Sequence, residues 1–377
     1  MPQFVNNDQP LNNRQGSAGG GHRRIVFDHS FEEITCLDNL LLAWQEFIKG
    51  KRKRKDVQEF SLNLMDNIIS LHYDLANHTY KHGEYQAFNI NDPKPRSIHK
   101  ASVRDRLLHH AIYRLLYPFF DRTFISDSFS CRNNKGTHKA LNRFRYFFRK
   151  VSKNNTKTCW ILKCDIKRFF ENIDHDILIG ILNKYIPNQD VMWLLNSIIE
   201  SFQARPGKGL PLGNLTSQLF VNIYMNEFDQ FMKHKLKIKY YIRYADDFVV
   251  LSEGRSLLEE VLPKIGDFLS EKLKLELHPD KVFIKTIFSG VDFLGWVHFS
   301  DHRVLRTVTK KRMFGRIKGS PQLETINSYL GLLKHGNTHK IKKVIQICKK
   351  PNSMLEYKNH VNSPTKDQNI NPVQGSR

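Results

Sequence analysis

The chain has 377 residues, 40% of them hydrophobic, and a formal charge of +22 from 59 Lys and Arg against 37 Asp and Glu. That size and apolar content suit a globular protein of two or three subdomains, and the charge predicts a polyanionic partner, nucleic acid rather than a membrane surface. No apolar run spans a bilayer and no signal peptide is present; five scattered cysteines without a CxxC pair argue for reduced thiols in a cytoplasm, not disulfides or a zinc site.

Residues 1–22 are polar and Gly-rich without periodicity, so disorder is expected over 1–24. From Phe31 to about Tyr80 apolar residues recur at helical spacing, which predicts two amphipathic helices joined by the basic turn GKRKRK at 50–55. That turn reads as a solvated one, with a phosphate contact as its functional alternative. KPRSIHKASVRDR (94–106) places basic side chains on an extended segment before a helix, a pattern suited to cradling phosphates. SFSCRNNKGTHKAL (128–141) sets a Gly turn before a second basic helix. Between Lys94 and Lys157 the only acids are Asp105, Asp121 and Asp127, and aromatics such as Phe129, Phe144 and Tyr146 are interleaved with the cations. A second basic block runs from Arg306 to Lys350 with Glu324 as its one acid. The acids concentrate between Asp165 and Asp301, so basic arms flank an acidic centre, as a channel for a nucleic-acid duplex requires.

CWILKCDI (159–166) alternates as a strand and ends at Asp165; Asp174 and Asp176 in the turn that follows read as helix caps. GKGLPLGN (207–214) is a Gly-rich loop into an apolar helix that Asn214 or Thr216 can cap, and the small residues Gly213 and Ser217 allow a flat base pair to come close to the backbone. YYIRYADDFVVL (240–251) reads as strand, tight turn, strand. Its adjacent Asp246 and Asp247 are ordinary turn chemistry taken alone, but like charges in contact disfavour ionisation unless a cation joins them. An amphipathic helix follows over Arg255 to Leu273, then two strand-like stretches, LKLELHPDKVFIK and VDFLGWVHF, and helices from Thr309. Beyond about Pro351 periodicity is lost and disorder is expected. Asp165, Asp246 and Asp247 together can surround two Mg2+ ions, with Mn2+ as a substitute, and support in-line phosphoryl transfer.

The order of these motifs resembles the reverse transcriptases. It rests on KPRSIHKASVRDR, SFSCRNNKGTHKAL, KCDIKRFF, GLPLGNLTSQ, YADD, LHPDK, FLGW and SYLGLLKHGN, and covers roughly Phe31 to Lys350. The resemblance implies an α+β right-hand fold: an N-terminal helical region with fingers over 25–158, a palm over 159–285 whose antiparallel sheet carries the YADD hairpin with helices on one face, and a primer grip with helical thumb over 286–350, before a tail over 351–377. It implies that Asp165, Asp246, Asp247 and the Ile166 carbonyl hold metal, and that Lys281 protonates pyrophosphate. Lys94, Arg96 and Lys100 would meet the incoming triphosphate, Phe170 would be the steric gate against a ribose 2′-hydroxyl, and Phe293, Leu294, Gly295 and Trp296 the primer grip. In GLPLGNLTSQ, Leu212 stands where most of the family has Gln and Gln218 where it has Pro, so Leu212, Gly213 and Gln218 would line the nucleotide site. That variant resembles the reverse transcriptases of diversity-generating retroelements. Those enzymes copy a template-repeat RNA with errors at adenines, work with a small basic accessory protein besides RNA, RNA–DNA duplex and dNTPs, and are cytoplasmic and encoded by bacteria or phage. With only a short tail after Lys350, no maturase, endonuclease or RNase H region is expected. The competing expectations are a reverse transcriptase of another bacterial retroelement or of phage defence, and an inactive RNA-binding protein on a polymerase scaffold.

Overall fold

A computed structural model describes residues 25–91, 95–319 and 322–347. The expected tails lie outside the described residues, and so does Lys94. Helices α1 (Phe31–Thr35), α2 (Leu37–Phe47), α3 (Lys55–Leu62) and α4 (Leu64–Ala76) open the described chain. The periodicity predicts two helices here. The extra breaks fall at Cys36, whose backbone is extended, and at Asn63, at φ −118° and ψ 46°, because local dihedrals interrupt a continuous apolar pattern.

An antiparallel hairpin follows, β1 (Gln86–Ile90) against β2 (Arg96–Lys100), and then α5 (Val103–Asp121) and α6 (Thr137–Val151). Ser102 caps α5 by accepting from Asp105 N, while Gly136, at φ +97°, turns the chain into α6. The central sheet is antiparallel throughout, in the order β4-β5-β3-β6, from β3 (Trp160–Asp165), β4 (Tyr241–Tyr244), β5 (Asp247–Ser252) and β6 (Phe283–Thr286). Between β3 and β4 come α7 (His175–Asn183), α8 (Gln189–Glu200) and α9 (Leu215–Gln230); α10 (Arg255–Leu273) follows β5. Asp174 caps α7 as the sequence suggests, accepting from Ile177 N at 3.2 Å.

Alternation along the strands sends side chains to two cores. Leu162, Cys164, Phe248 and Val250 join the core that includes α9 and α10, whereas Ile161, Ile242, Val249 and Leu251 face Phe144, Phe147 and Phe148 of α6. Helices therefore cover both faces of the sheet, not one. The basic amphipathic α6 closes the second face because its apolar stripe needs an apolar surface to bury.

A smaller antiparallel sheet comprises β7 (Val291–Phe293), β8 (Trp296–His298) and β9 (Arg303–Leu305), and α11 (Thr307–Gly319), α12 (Leu323–Leu333) and α13 (His339–Ile347) end the described chain. The β7–β8 turn, Leu294–Gly295, has both central residues at positive φ, +51° and +83°, matching the right-handed twist of the strands. Trp296 is fully buried and lies against Gly336, just after α12; a Cβ built on Gly336 would sit 2.0 Å from the indole. We expect Gly336→Ala to displace Trp296 and destabilise the docking of α12 on the small sheet by about 1–3 kcal/mol. Hydrogen exchange resolved by segment checks this: faster exchange confined to β8 and α12 is the expected outcome, and an unchanged pattern would count against it. No helix among the described residues is long and apolar enough to cross a membrane.

Candidate active site

β3 and β5 are antiparallel partners in a register that sets Asp165 directly opposite Asp247. Tyr244 and Asp247 close a two-residue turn, so Asp246 stands at the hairpin tip beside the end of β3. The left-handed residue in this turn is Ala245, at φ +56°; neither aspartate adopts it. A Cβ in that region costs about 1–2 kcal/mol, so the surroundings must hold the turn. Two interactions do so. Ile166 N donates to Asp246 O at 3.1 Å, and Arg243 Nη1 donates to Ala245 O at 3.2 Å.

Arg243 is fully buried, and its guanidinium is neutralised by Asp229 of α9: Nε donates to Oδ1 at 2.8 Å and Nη2 to Oδ2 at 2.7 Å. Tyr241 Oη also donates to Asp229 Oδ1, at 2.8 Å, and Arg243 Nη2 to Ser128 Oγ at 3.1 Å. The hairpin is thus bolted to α9 and to the segment before α6 by one charged network.

The three carboxylates have different surroundings. Asp165 accepts from Lys281 Nζ at 2.7 Å, and its backbone carbonyl accepts from His278 N at 2.8 Å. Lys281 is delivered by a short 3-10 turn, Pro279–Lys281. Burial and the neighbouring Asp165 push the Asp246 carboxyl above the usual range, with Lys281 and Arg96 acting in the opposite sense. Asp247 is pushed up to about 7, mainly by burial, although buried Lys163 of β3 lies 3.2 Å from its Oδ1. Lys163 thus supplies the cation beside Asp247, within ion-pair distance but without a well-formed hydrogen bond to Oδ1. Among the described residues no group of three or more His, Cys, Asp or Glu side chains could hold a metal ion.

Arg96 lies at the exposed start of β2, and its charge reaches Asp246. Lys100, at the far end of β2, instead pairs with Asp56 of α3 at 2.7 Å, an acid that also accepts from Arg106 at 2.5 Å. Phe170 is half-buried on a 3-10 turn, Phe169–Asn172, and its carbonyl accepts from Leu210 N at 2.8 Å, tying this turn to the Gly-rich loop. Farther along that loop His99 N donates to Leu212 O at 3.1 Å. Asn214 begins α9, but its amide makes no cap; it donates to His99 O at 3.3 Å. Gly213 adopts φ +109°, and a Cβ there would meet Ile98 of β2 at 3.0 Å. Gly213 and Gln218 face the N-terminal helices. Phe293 and Trp296 are core residues, and only Leu294 and Gly295 at the turn between them are half-exposed.

Sequence reasoning missed Lys163, Arg243 and Asp229. Each carried a signal: a lone cation within an apolar strand, or an acid on an apolar helix, requires a buried counter-charge.

The family model described as reverse transcriptase (RNA-dependent DNA polymerase) matches residues 86–298, more than half the chain and all of the carboxylate site. The chain belongs to this family. Its sequence is similar to Protein YkfC of Escherichia coli, 24% identical over 263 residues covering 60% of this chain and 66% of YkfC. It is also similar to the group II intron-encoded protein LtrA of Lactococcus lactis, 25% identical over 311 residues covering 64% of this chain and 49% of LtrA. The chain thus matches under two thirds of the length of these relatives. A solved apo telomerase from Candida tropicalis aligns with TM-score 0.45 and 13% identity, over 64% of this chain and 60% of that one. In a reverse transcriptase the central sheet with its YADD hairpin is the palm, in keeping with an α+β right-hand fold of mixed helices and antiparallel sheets.

Proposed function

We propose that the protein is an RNA-directed DNA polymerase that extends a primer on an RNA template. The observation that carries this is the register that brings Asp165 beside the Asp246 tip, with Lys281 on Asp165 and Arg96 in the field of Asp246. Asp165 and Asp246 would hold the divalent ions, Mg2+ or Mn2+, with the Ile166 carbonyl as a further oxygen donor. Carboxylate and carbonyl oxygens suit these cations, and two buried like charges are what a bound cation relieves. The chemistry such ions supply is activation of a primer 3′-hydroxyl and neutralisation of charge on the leaving pyrophosphate. Asp247, with Lys163 beside it, supports the pair from β5. Lys281 would move from Asp165 toward pyrophosphate and donate its proton there, and Arg96 would clamp the triphosphate through its forked donors. Phe170 would press against the sugar and exclude a 2′-hydroxyl. Primer contact would fall to Leu294 and Gly295, since their aromatic neighbours are packed inward. On this reading residues 25–158 are the N-terminal region and fingers, 159–285 the palm, and 286–350 primer grip and thumb.

The finer reading is an error-prone enzyme of a diversity-generating retroelement, copying a template-repeat RNA with the help of a small basic accessory protein. Leu212 and Gln218 in GLPLGNLTSQ support it. A polar side chain beside the nascent pair rejects mismatches by leaving their groups unpaired, and an aliphatic one enforces this less strictly. Leu212→Gln is therefore expected to lower misincorporation opposite template adenines several-fold. Sequencing cDNA made by both proteins on one RNA provides the test, and identical error spectra would remove the support.

A further inference from the structure

Beyond the end of β3 lies a basin of about 270 Å³ lined by polar side chains throughout. Five cations converge on it from three stretches of chain: Lys167 and Arg168 just after β3, Arg205 and Lys208 between α8 and α9, and Lys274 at the end of α10. The acid in its wall is Glu276, which pairs with Lys167 at 3.3 Å. Lys208 lies 3.5 Å from Asp174, and Arg168 reaches only the exposed Glu171, at 4.0 Å. Arg205 spends a donor on the neutral Asn172 Oδ1, and Lys274 meets no acid within ion-pair distance among the described residues. Positive charge is left over in one concave place, which favours an anion.

Two of these cations hold a backbone conformation that is costly for them. Arg168 has φ +45° and Lys274 φ +50°, left-handed positions that Gly or Asn fill more easily. Both line the same basin. Strain of this kind persists only where the surroundings impose it, and it gathers at ligand sites.

A short antiparallel ladder ties the basin to the carboxylates. His278 N donates to Asp165 O at 2.8 Å, Ile166 bridges Leu277, and Lys167 N donates to Glu276 O at 2.9 Å. One end of the ladder carries Asp165 with Lys281 bonded to it, and the other carries Lys167 and Glu276 of the basin. Asp165 and Lys167 are separated by about 7 Å of extended chain. An anion released beside Lys281 has only that short way to go.

We propose that this basin binds a diphosphate group, and that its occupant is the pyrophosphate released by synthesis and drawn away from the carboxylates. Arg supplies forked donors to phosphate oxygens and Lys point charges. No aromatic or aliphatic side chain lines the basin, so a base has nothing to stack on, and an inorganic phosphate chain suits it better than a strand of RNA. The released product as occupant rests on the polymerase reading; the binding of diphosphate does not.

Calorimetric titration of inorganic pyrophosphate into the protein, in metal-free buffer and without nucleic acid, tests the proposal. Without metal the carboxylates repel the anion, so binding reports the basin. One site is expected, and Arg168→Asn with Lys274→Asn should weaken it at least about tenfold, because hydrogen bonds between charged groups are lost. Both positions are exposed and Asn accepts the left-handed backbone, so the variant should unfold at or above the temperature of the unaltered protein. The proposal is overturned if the unaltered protein binds no pyrophosphate, if the variant binds it equally well, or if equimolar sulfate displaces it and thereby shows unselective charge attraction. Titration with dATP separates the two sources of a phosphate chain. Affinity no higher than that for pyrophosphate supports the released product, whereas affinity about tenfold higher, lost in the same variant, assigns the basin to a nucleotide and overturns the proposal. Absence of primer extension by the unaltered protein would instead strike at the polymerase reading and leave these titrations readable.

Discussion

Asp246→Asn is expected to reduce DNA synthesis by at least about a thousandfold, because under the proposed mechanism several kcal/mol of charge stabilisation in the transition state would depend on this carboxylate, and each 1.36 kcal/mol is worth tenfold. The substitution keeps the shape of the hairpin tip. The Ile166 N to Asp246 O bond uses the backbone, and the turn itself is fixed by Ala245 and Arg243. Folding should therefore be unimpaired, and replacing a carboxyl whose ionisation burial and Asp165 already disfavour should leave hybrid binding equal or tighter. Single-turnover primer extension at saturating hybrid, beside anisotropy on the same hybrid, separates these effects. Activity within tenfold of the unaltered protein would exclude Asp246 as a metal-binding residue.

Arg243→Met is expected to have the largest effect on stability. It leaves Asp229 buried and without its guanidinium, an uncompensated charge of the kind that costs about 3–5 kcal/mol. Tyr241 Oη would remain as a donor to Asp229, which softens the loss without cancelling it. The Ala245 carbonyl would lose its donor as well, so synthesis should fall along with stability. The double change Arg243→Met, Asp229→Leu removes both charges and should recover much of the stability. It should not recover synthesis, because the Ala245 carbonyl remains without its donor and the left-handed turn without its clamp. Thermal unfolding monitored for the single and double variants tests the first part, and primer extension the second. Equal destabilisation by both variants would show that the unpaired Asp229 carries no cost, against the account given.

The parts of this site that local sequence encodes are those whose signal lies within one element. β3 ends at Asp165 because CWILKCD alternates until a charged residue must leave the core, and the YADD hairpin stands out because two apolar runs are joined by a polar pair. Helix α10 fits the expected Arg255 to Leu273 for a similar reason, a long regular apolar stripe. Distant pairings have no such local mark. Lys100 reads as a free phosphate ligand until Asp56, far back in the chain, is folded against it. Lys163 reads as an oddity in a strand until β5 brings Asp247 beside it. The Phe293 to Trp296 stretch shows its hairpin in sequence, but which aromatic faces the core depends on α6 and on the Gly336 loop. Ala245 shows the limit of residue-type reasoning: the turn has an Asp available for the left-handed position and places an alanine there, because the register fixes which residue falls at each corner.

The basic arms also take on separate meanings once folded. Part of the positive charge is consumed internally, as Arg106 and Lys100 on Asp56 and Arg143 on Asp127 show. Other cations line a pocket behind the β1–β2 hairpin, and positive charge of this kind attracts a polyanion.

The central claim is most directly tested by offering the purified protein a labelled DNA primer annealed to an RNA template, with dNTPs and Mg2+. The site described here predicts extension to the template end, lost in Asp165→Asn and Asp246→Asn and lost for the unaltered protein when EDTA is added. A protein that binds the hybrid yet adds no nucleotide with either Mg2+ or Mn2+ would contradict it.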